Sequence, residues 1–328
     1  MTILVTGATG FLGRRVVGAL VDRDCEVRVL VRPAAPGPGL PWERSVDVVH
    51  ADLLSDELGE ALDGVDVVVH LAARREGDDQ QRFTGTVRAT ERLVEAMAGT
   101  GVRRLVLSSS YSVYDWSAAT AVLDERTPIE RARLYERDGY AIAKVWQERV
   151  VRSAAERSGF ELVVLRPGFI WGPGRMDISA AGVPLGPLHL VIAPRARLPL
   201  TYVDNCADCV VAAALEPAGA GGAFNVVDGD DVVAWRYARE WLSRERPGVR
   251  PVPVPYLAGL ALARLASAIA RRAFSHGGRL PGLLVPPRYE ARFRPLRHSA
   301  EAARETLGWT PRVPFEEGLR RSLAQAPV

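Results

Sequence analysis

The 328-residue chain is 48% hydrophobic and 25% charged, which is the composition of an ordinary folded globular protein and excludes a disordered one. Its formal net charge is only +3, and without a long run of like charges the sequence predicts no nucleic-acid partner. Cys25, Cys206 and Cys209 are too few for a disulfide framework, and Cys206-Ala-Asp-Cys209 lacks the second pair that a zinc site needs, so we expect no metal and two reduced thiols on a helix.

The N-terminus starts directly with a strand, Met1 to Thr6, and lacks the basic start of a signal peptide. The longest apolar run, near 257–270, is interrupted by Arg264 and is shorter than the roughly 20 apolar residues that span a bilayer. We therefore expect a cytoplasmic protein without stable membrane insertion.

The first predicted strand runs into a glycine-rich turn. Residues 3–20 read ILVTGATGFLGRRVVGAL, which places Gly7, Gly10 and Gly13 between a strand and an amphipathic helix. Glycines allow the tight turn and let the backbone and the helix N-terminus approach a pyrophosphate. In this context the spacing predicts a dinucleotide-binding loop instead of a plain strand–turn–helix.

Short β-branched runs alternate with helical patterns over the first two-thirds of the chain. Strands are predicted at 3–6, 26–31, 47–50, 65–71, 104–108 and 161–166, and helices near 11–22, 57–62, 86–99 and 140–158. Runs such as DVVVHLA are apolar on both faces, which is typical of a parallel sheet covered by helices on both sides. The pattern predicts an α/β fold with a doubly wound parallel (Rossmann) sheet and a smaller, mostly C-terminal substrate-binding domain. We assign residues 1–165, with a return segment near 200–228, to the nucleotide-binding domain, and 166–199 and 229–328 to the substrate-binding one.

The tip of the second predicted strand carries Arg32, at the position that reads the adenosine ribose in such folds. A carboxylate there would bind two ribose hydroxyls, whereas an arginine suits a 2′-phosphate. Arg32 therefore favours NADP over NAD, with a solvated surface arginine as the alternative.

Proline and glycine are dense at 32–42 and 182–199, and we interpret both segments as irregular loops near a binding crevice. Further on, the sequence predicts an apolar helix after Pro255, a loop at 281–289 and a last helix at about 314–323. The apolar segment 255–274 is interpreted as a lid or wall beside the substrate, as an ordinary packed helix, or as a surface helix that touches a membrane.

Tyr140 and Lys144, in YAIAK, project from one face of a predicted helix. Lys144 is the only lysine in the chain, since 42 − 1 leaves 41 arginines. A nearby ammonium favours a phenolate, so we expect Lys144 to lower the pKa of Tyr140 and make it a proton donor and acceptor for a carbonyl or alcohol.

Several motifs, in the same order along almost the whole chain, resemble those of the extended short-chain dehydrogenases/reductases, the NAD-dependent epimerase/dehydratase superfamily. They are TGATGFLG (6–13), ADL (51–53), HLAA (70–73), LVLSSSYSVY (105–114), YAIAK (140–144), LRPGFIWGPG (165–174), YVDNCADC (202–209) and AARETLGWTPRVPFEEGL (302–319). The resemblance implies a nicotinamide cofactor, a small-molecule substrate and a homodimer that pairs through the helices at 86–99 and 140–158.

The resemblance also implies a set of site residues. Ser110, Tyr140 and Lys144 would be catalytic, with Ser109 as second choice for the serine and with Lys144 on the nicotinamide ribose. The cofactor would contact Gly7, Thr9, Gly10, Phe11, Leu12, Gly13, Arg32, Asp52, Leu53, Leu71, Ala72, Ala73, Ser108, Tyr140, Lys144, Pro167, Gly168, Phe169 and Ile170.

Two positions depart from the family pattern. Thr86 stands where an asparagine commonly supports the active-site lysine, and Asp115 replaces a glycine after the serine motif, so we expect a different loop there. The residues after Ser110 are Tyr111 and Ser112, which lack the acid of the sugar dehydratases.

The segment LRPGFIWGPG resembles the 3β-hydroxysteroid dehydrogenase and ketoreductase branch. We therefore predict an NADP-preferring alcohol dehydrogenase or ketoreductase for a mostly apolar small molecule, natural-product or steroid-like. A nucleotide-sugar 4-epimerase or reductase, with a diphosphate held by Arg195, Arg197, Arg271 and Arg272, is the first alternative. A non-catalytic NADP-sensing regulator is the second.

Overall fold

The computed structural model describes residues 1–33, 42–273 and 280–324. In chain order the strands are β1 (Thr2–Thr6), β2 (Glu26–Val31), β3 (Asp47–His50), β4 (Val67–His70), β5 (Arg104–Ser108), β6 (Val122–Leu123), β7 (Glu161–Pro167), β8 (Phe169–Trp171), β9 (Val183–Leu185), β10 (Leu188–Ile192), β11 (Leu200–Tyr202), β12 (Ala223–Val226), β13 (Arg250–Val254) and β14 (Arg297–His298). The helices are α1 (Phe11–Val21), α2 (Gly59–Leu62), α3 (Asp79–Phe83), α4 (Ala89–Met97), α5 (Gly139–Ser158), α6 (Val203–Leu215), α7 (Ala234–Glu245), α8 (Tyr256–Ala273), α9 (Pro286–Phe293), α10 (Glu301–Leu307) and α11 (Phe315–Ala324). A π-helical segment, Thr84–Arg88, joins α3 to α4.

The central sheet of the described chain has seven parallel strands in the order β12-β7-β5-β4-β1-β2-β3. The direction of winding reverses between β1 and β4, and ligands of such sheets bind outside the carboxyl ends of the strands at this switch point. The sheet confirms the predicted doubly wound α/β fold.

Successive residues of the strands point to opposite faces, and both faces are buried. In β1, Ile3 and Val5 belong to one apolar cluster, which includes residues of α1 and α6, while Leu4 belongs to a second cluster with residues of α4 and α5. This double burial explains why the strand sequences are apolar throughout.

The predicted loop at 182–199 is wrong in part, because the structure has an antiparallel hairpin of β9 and β10 there, extended by β13. The two-residue connection is Gly186-Pro187, and Gly186 has a φ of +57°, a conformation that glycine adopts without strain. The proline-rich appearance of the segment hid the apolar run from Leu188 to Ile192.

The predicted loop at 281–289 is also wrong in part, because α9 begins at Pro286. Proline is compatible with the first turn of a helix, where its missing N–H would have no partner within the helix. The other predicted loop, 32–42, lies largely outside the described residues.

Helix α8 confirms the predicted apolar helix. Leu260 and Ala263 are buried, whereas Leu257, Leu262 and Leu265 are exposed. Within residues 1–33, 42–273 and 280–324, we find no helix with the length and apolarity to cross a membrane.

The cysteine pair lies on α6, where Cys206 and Cys209 are buried free thiols. Burial raises the pKa of both thiols, which leaves them protonated at neutral pH.

Candidate active site

The glycine-rich loop follows β1 at the switch point of the sheet. Gly7 has a φ of +71°, and a Cβ at this position would lie 2.8 Å from the backbone nitrogen of Ala72. A Cβ on Gly13 would lie 2.1 Å from the carbonyl oxygen of Gly7. Only glycine fits at both positions, and the loop delivers the chain to the N-terminus of α1 at Phe11.

A cavity of about 620 Å³ extends from this loop to the first turn of α5. Of the predicted site residues, those that line it are Gly7, Gly10, Phe11, Leu12, Gly13, Leu71, Ala73, Ser108, Ser110, Tyr140, Lys144, Pro167, Gly168, Phe169 and Ile170. The fold therefore brings most of the predicted cofactor contacts and all three predicted catalytic residues to one cavity.

Five predicted contacts, Thr9, Arg32, Asp52, Leu53 and Ala72, are not among the lining residues. Arg32 is exposed immediately after β2. The Asp52 carboxylate accepts a 2.8 Å hydrogen bond from the Leu54 backbone, and Leu53 is buried.

Tyr140 and Lys144 occupy the first two turns of α5, which begins at Gly139. The side chain of Asp138 caps this helix by accepting a 3.0 Å hydrogen bond from the backbone nitrogen of Ala141. The cap fixes the turn that carries Tyr140 against the cavity.

The serines after β5 have different partners. The buried Ser109 hydroxyl donates a 2.6 Å hydrogen bond to Glu148. The Ser110 side chain accepts from the backbone nitrogen of Ser112 at 3.2 Å and lines the cavity that Tyr140 also lines. Ser110 thus shares the cavity with Tyr140, while the hydroxyl of the second choice, Ser109, is engaged with Glu148.

The expected lowering of the Tyr140 pKa by Lys144 is wrong for the protein alone. Burial raises the pKa of Tyr140, against smaller opposing effects of the Arg75 guanidinium and of the nearby Ser110 hydroxyl. Removing the phenolate anion from water costs more free energy than the interactions with Arg75 and Ser110 give back, so the raising effect of burial prevails.

Lys144 is only 3% exposed, and its ammonium donates hydrogen bonds of 2.7 Å to the Ser108 carbonyl and 2.8 Å to Gln147 Oε1. Burial lowers the pKa of Lys144 to about 7, while Glu148 opposes this effect and Arg75 adds to it. The lysine is therefore a pre-positioned donor whose charge is sensitive to its surroundings.

Thr86 does not take over the support of the lysine through its side chain. Its hydroxyl accepts a 3.1 Å hydrogen bond from the Arg74 backbone, and its carbonyl accepts one of 2.7 Å from Thr90. The side chain that accepts a hydrogen bond from Lys144 is Gln147. The sequence did not predict this contact, because glutamine three residues after a lysine carries no signal of its own.

A buried ion pair behind the site was also missed. Arg166 donates to both oxygens of Glu148, at 2.9 and 2.8 Å, and to the Tyr114 hydroxyl at 3.0 Å. Tyr114 in turn donates a 2.7 Å hydrogen bond to Asn225. The network ties α5 to β7, β12 and the serine loop.

The loop after the serine motif has its own local contacts. Asp115 accepts hydrogen bonds from the backbone and hydroxyl of Ser117, at 2.9 and 2.6 Å. Such a turn is typical of aspartate and suits the residue that replaces glycine.

The interpretation of the apolar helix as a lid or wall of the cavity is wrong for its described part, because none of the α8 side chains that the structure describes lines the cavity. Helix α8 packs against α9, and α9 lines the cavity with Arg288, Ala291 and Arg292. Arg195 and Arg197 are not among the residues that line the cavity, and Arg197 pairs with Asp231 at 2.8 Å. The side chain of Arg271 falls outside the described parts.

Known proteins resemble this chain in sequence and in fold. A model of the NAD dependent epimerase/dehydratase family matches residues 3–226. A 3β-hydroxysteroid dehydrogenase/Δ5→4-isomerase from Mycobacterium tuberculosis is 31% identical over 98% of this chain and 89% of that protein. A 2-alkyl-3-oxoalkanoate reductase from Stenotrophomonas maltophilia is 29% identical over 99% of both chains. The structure of a UDP-glucuronic acid 4-epimerase from Bacillus cereus, in complex with UDP-glucuronic acid and NAD, covers 99% of this chain and 98% of that chain with a TM-score of 0.73 and 20% identity, which shows the fold alone.

Proposed function

The chain belongs to the NAD dependent epimerase/dehydratase family, and we propose that it is an NADP-preferring alcohol dehydrogenase or ketoreductase for a mostly apolar small molecule. It is an NAD(P)-dependent oxidoreductase that acts on hydroxyl and keto groups, in line with its family and with relatives that are named a dehydrogenase and a reductase. The observation that best supports the proposed dehydrogenase or ketoreductase activity is that Ser110, Tyr140 and Lys144 line the same cavity as the glycine-rich loop.

The residues of the cavity fit a dinucleotide. A cavity of about 620 Å³ lies within the roughly 300–1,000 Å³ of ligand pockets. Gly7, Gly10 and Gly13 line it at the N-terminus of α1, where a pyrophosphate binds in doubly wound folds. We infer that the cofactor is held by the predicted contacts that line the cavity, with Arg32 at its adenosine ribose and Asp52 and Leu53 against its adenine. Thr9 and Ala72 are further proposed contacts.

The preference for NADP rests on Arg32. Its side chain is exposed at the carboxyl end of β2, next to the edge of the sheet where an adenosine ribose binds in doubly wound folds. A guanidinium offers a 2′-phosphate two parallel hydrogen bonds, and a ribose hydroxyl gains less from it.

In the proposed mechanism, the nicotinamide cofactor, when bound, supplies or accepts the hydride. Tyr140 donates a proton to the carbonyl oxygen in reduction and removes one from the alcohol in oxidation. The Ser110 hydroxyl orients the substrate oxygen toward Tyr140. The ammonium of Lys144 stabilises the phenolate of Tyr140 and uses its remaining N–H for the nicotinamide ribose.

The apolar substrate class is supported by the named activities of the relatives, which include a hydroxysteroid dehydrogenase and an oxoalkanoate reductase. Arg75, Arg288 and Arg292 line the same cavity and favour an anionic group on the ligand. A nucleotide-sugar 4-epimerase or reductase is therefore the second candidate function.

A substrate panel tests the proposal. Purified protein is assayed for NADP(H)-dependent absorbance change with 3β-hydroxysteroids, 3-oxosteroids and 2-alkyl-3-oxoalkanoates, and for thermal shift with UDP- and TDP-sugars. We expect turnover with members of the first group. Sugar-nucleotide stabilisation without such turnover would favour the second candidate, and NADP binding without any turnover would favour a non-catalytic NADP sensor.

We further propose the homodimer and the division into two domains that the sequence predicts. The dimer is supported by the partly exposed aromatic pair of Phe83 on α3 and Trp146 on α5, with ring centres 6.5 Å apart. Light scattering of the purified protein tests the dimer; a monomer mass at working concentration would contradict it.

A further inference from the structure

A buried chain of hydrogen bonds runs from the end of β1 to the active-site lysine. It connects Thr6 to His70 at 2.7 Å, His70 to Thr90 at 2.9 Å, Thr90 to Gln147 at 2.8 Å, and Gln147 to Lys144 at 2.8 Å. All five side chains are at most 3% exposed. This series of hydrogen bonds therefore joins two strands and two helices without contact with bulk water.

The direction of each hydrogen bond follows from the number of protons available. The Thr90 hydroxyl has one proton and donates it to the Thr86 carbonyl at 2.7 Å, so it accepts from both Gln147 Nε2 and His70 Nε2. Burial lowers the pKa of His70 to about 3 and keeps its ring neutral, so the ring carries one N–H proton. This proton lies on Nε2, the nitrogen that donates to Thr90. Its Nδ1 accepts from Thr6.

This direction fixes the carboxamide of Gln147. Its Nε2 must face Thr90, so its Oε1 must face Lys144, and an ammonium has only donors. Two N–H groups of Lys144 are used by Gln147 and by the Ser108 carbonyl, which leaves the third for a ligand in the cavity. Every polar atom of the chain is thereby oriented by its neighbour.

We propose that Gln147 is a positioning residue that holds the ammonium of Lys144 through this chain and sustains its charge. The proposal rests on the proposed function, since it assumes that Lys144 serves the cofactor and Tyr140. Gln147 itself does not touch the reacting atoms, as it is fully buried behind the lysine.

The charge of Lys144 depends on few groups. Glu148 on α5 favours the ammonium, and Arg75, on the loop after β4, disfavours it. Tyr140 is one turn away, with its ring centre 5.9 Å from the ammonium, and His70 on β4 is neutral. Against this background, the Gln147 acceptor at 2.8 Å stabilises the charge, because a carbonyl oxygen bonds a charged ammonium more strongly than a neutral amine.

The single lysine of the sequence makes a direct test possible. Protein produced with lysine labelled with ¹³C at Cε, and without a lysine-containing tag, gives one side-chain resonance, whose shift with pH reports the titration of Lys144. We expect Gln147→Leu, which keeps the volume and removes the acceptor, to lower the proton affinity of Lys144 about tenfold or more. We expect Gln147→Glu, which adds a negative charge, to raise it.

The exposed Gln80 provides the matched control, since Gln80→Leu makes the same chemical change on a helix surface and should leave the titration unchanged. An unchanged midpoint in Gln147→Leu would overturn the proposal. If that variant does not fold, Gln147→Glu decides, because an unchanged midpoint there contradicts it equally.

Turnover separates this proposal from the proposed function. A less charged Lys144 stabilises the Tyr140 phenolate less, so Tyr140 should lose its proton only at higher pH. With the panel compound that reacts fastest, Gln147→Leu should therefore shift the pH profile of kcat/KM for alcohol oxidation to higher pH. Loss of folded protein alone does not cause such a shift. An inactive Tyr140→Phe together with a wild-type profile in Gln147→Leu would refute only the role of Gln147. An active Tyr140→Phe would refute the proposed function, while the lysine titration would still decide on Gln147.

Discussion

Lys144 lies one helical turn beyond Tyr140, with its ammonium 5.9 Å from the centre of the tyrosine ring. The compact ammonium satisfies two acceptors, the Ser108 carbonyl at 2.7 Å and Gln147 Oε1 at 2.8 Å, in a pocket that leaves it 3% exposed. A planar guanidinium is larger and cannot turn its donors independently. This geometry gives a physical reason for one lysine in a chain of 41 arginines (42 − 1).

The first prediction is that Lys144→Arg retains the positive charge and loses activity. We expect kcat/KM to fall about 100-fold or more, in the range of a misplaced proton-transfer partner. Steady-state kinetics with the best panel substrate measures it, with the exposed Arg157→Lys at the end of α5 as control. Wild-type kcat/KM in Lys144→Arg would show that charge alone suffices.

The second prediction concerns stability and pH. The pKa of Lys144 is lowered to about 7 in the folded protein and is about 10.4 in an unfolded chain. Between these values the unfolded state binds more protons, so this lysine makes the free energy of unfolding rise with pH. We expect the difference in this free energy, wild type minus Lys144→Met, to increase from pH about 7 to about 10 in cofactor-free protein. Urea titrations at several pH values measure it, and a constant difference would mean that Lys144 titrates normally.

The third prediction concerns the cofactor. Arg32→Asp should raise the KM for NADP far more than the KM for NAD, because a carboxylate repels a 2′-phosphate and accepts hydrogen bonds from ribose hydroxyls. Arg44→Asp, at an exposed position in the next segment, makes the same charge change as a control. An unchanged NADP/NAD ratio in Arg32→Asp would remove Arg32 from cofactor selection.

The fourth prediction concerns the ion pair of Glu148 and Arg166, whose side chains are 1% and 4% exposed. Glu148→Ala leaves the arginine buried without its partner, which should lower the free energy of unfolding by about 3 to 5 kcal/mol. Glu91→Ala removes a surface partner of Arg88 and should cost less than about 1 kcal/mol. Equal losses in the two variants, measured by urea unfolding, would contradict the structural role of the buried pair.

Sequence patterns predicted the features that are local. The glycine loop, the strands of the sheet and the Tyr140–Lys144 pair each lie within a short segment whose geometry follows from strand and helix periodicity. The hairpin at β9 and β10 and the start of α9 were missed, because prolines that mark edge strands and helix starts look like loop residues.

The partners of the site residues were not predictable in the same way. Gln147 contacts Thr90 from 57 positions away, and Arg166 reaches Glu148 across 18 positions and a helix–strand connection. The pKa of Tyr140 is raised because the folded protein buries its side chain. The spacing of Tyr140 and Lys144 in the sequence cannot predict this burial.

The fifth prediction tests the central claim, that Tyr140 transfers the proton in an NADP(H)-dependent oxidoreduction. Tyr140→Phe removes only the hydroxyl, so the variant should fold and bind NADPH as the wild type does. The decisive measurement is the rate of NADPH oxidation by Tyr140→Phe with the best ketone of the panel. We predict a loss of about 100-fold or more; a rate close to that of the wild type would contradict the account.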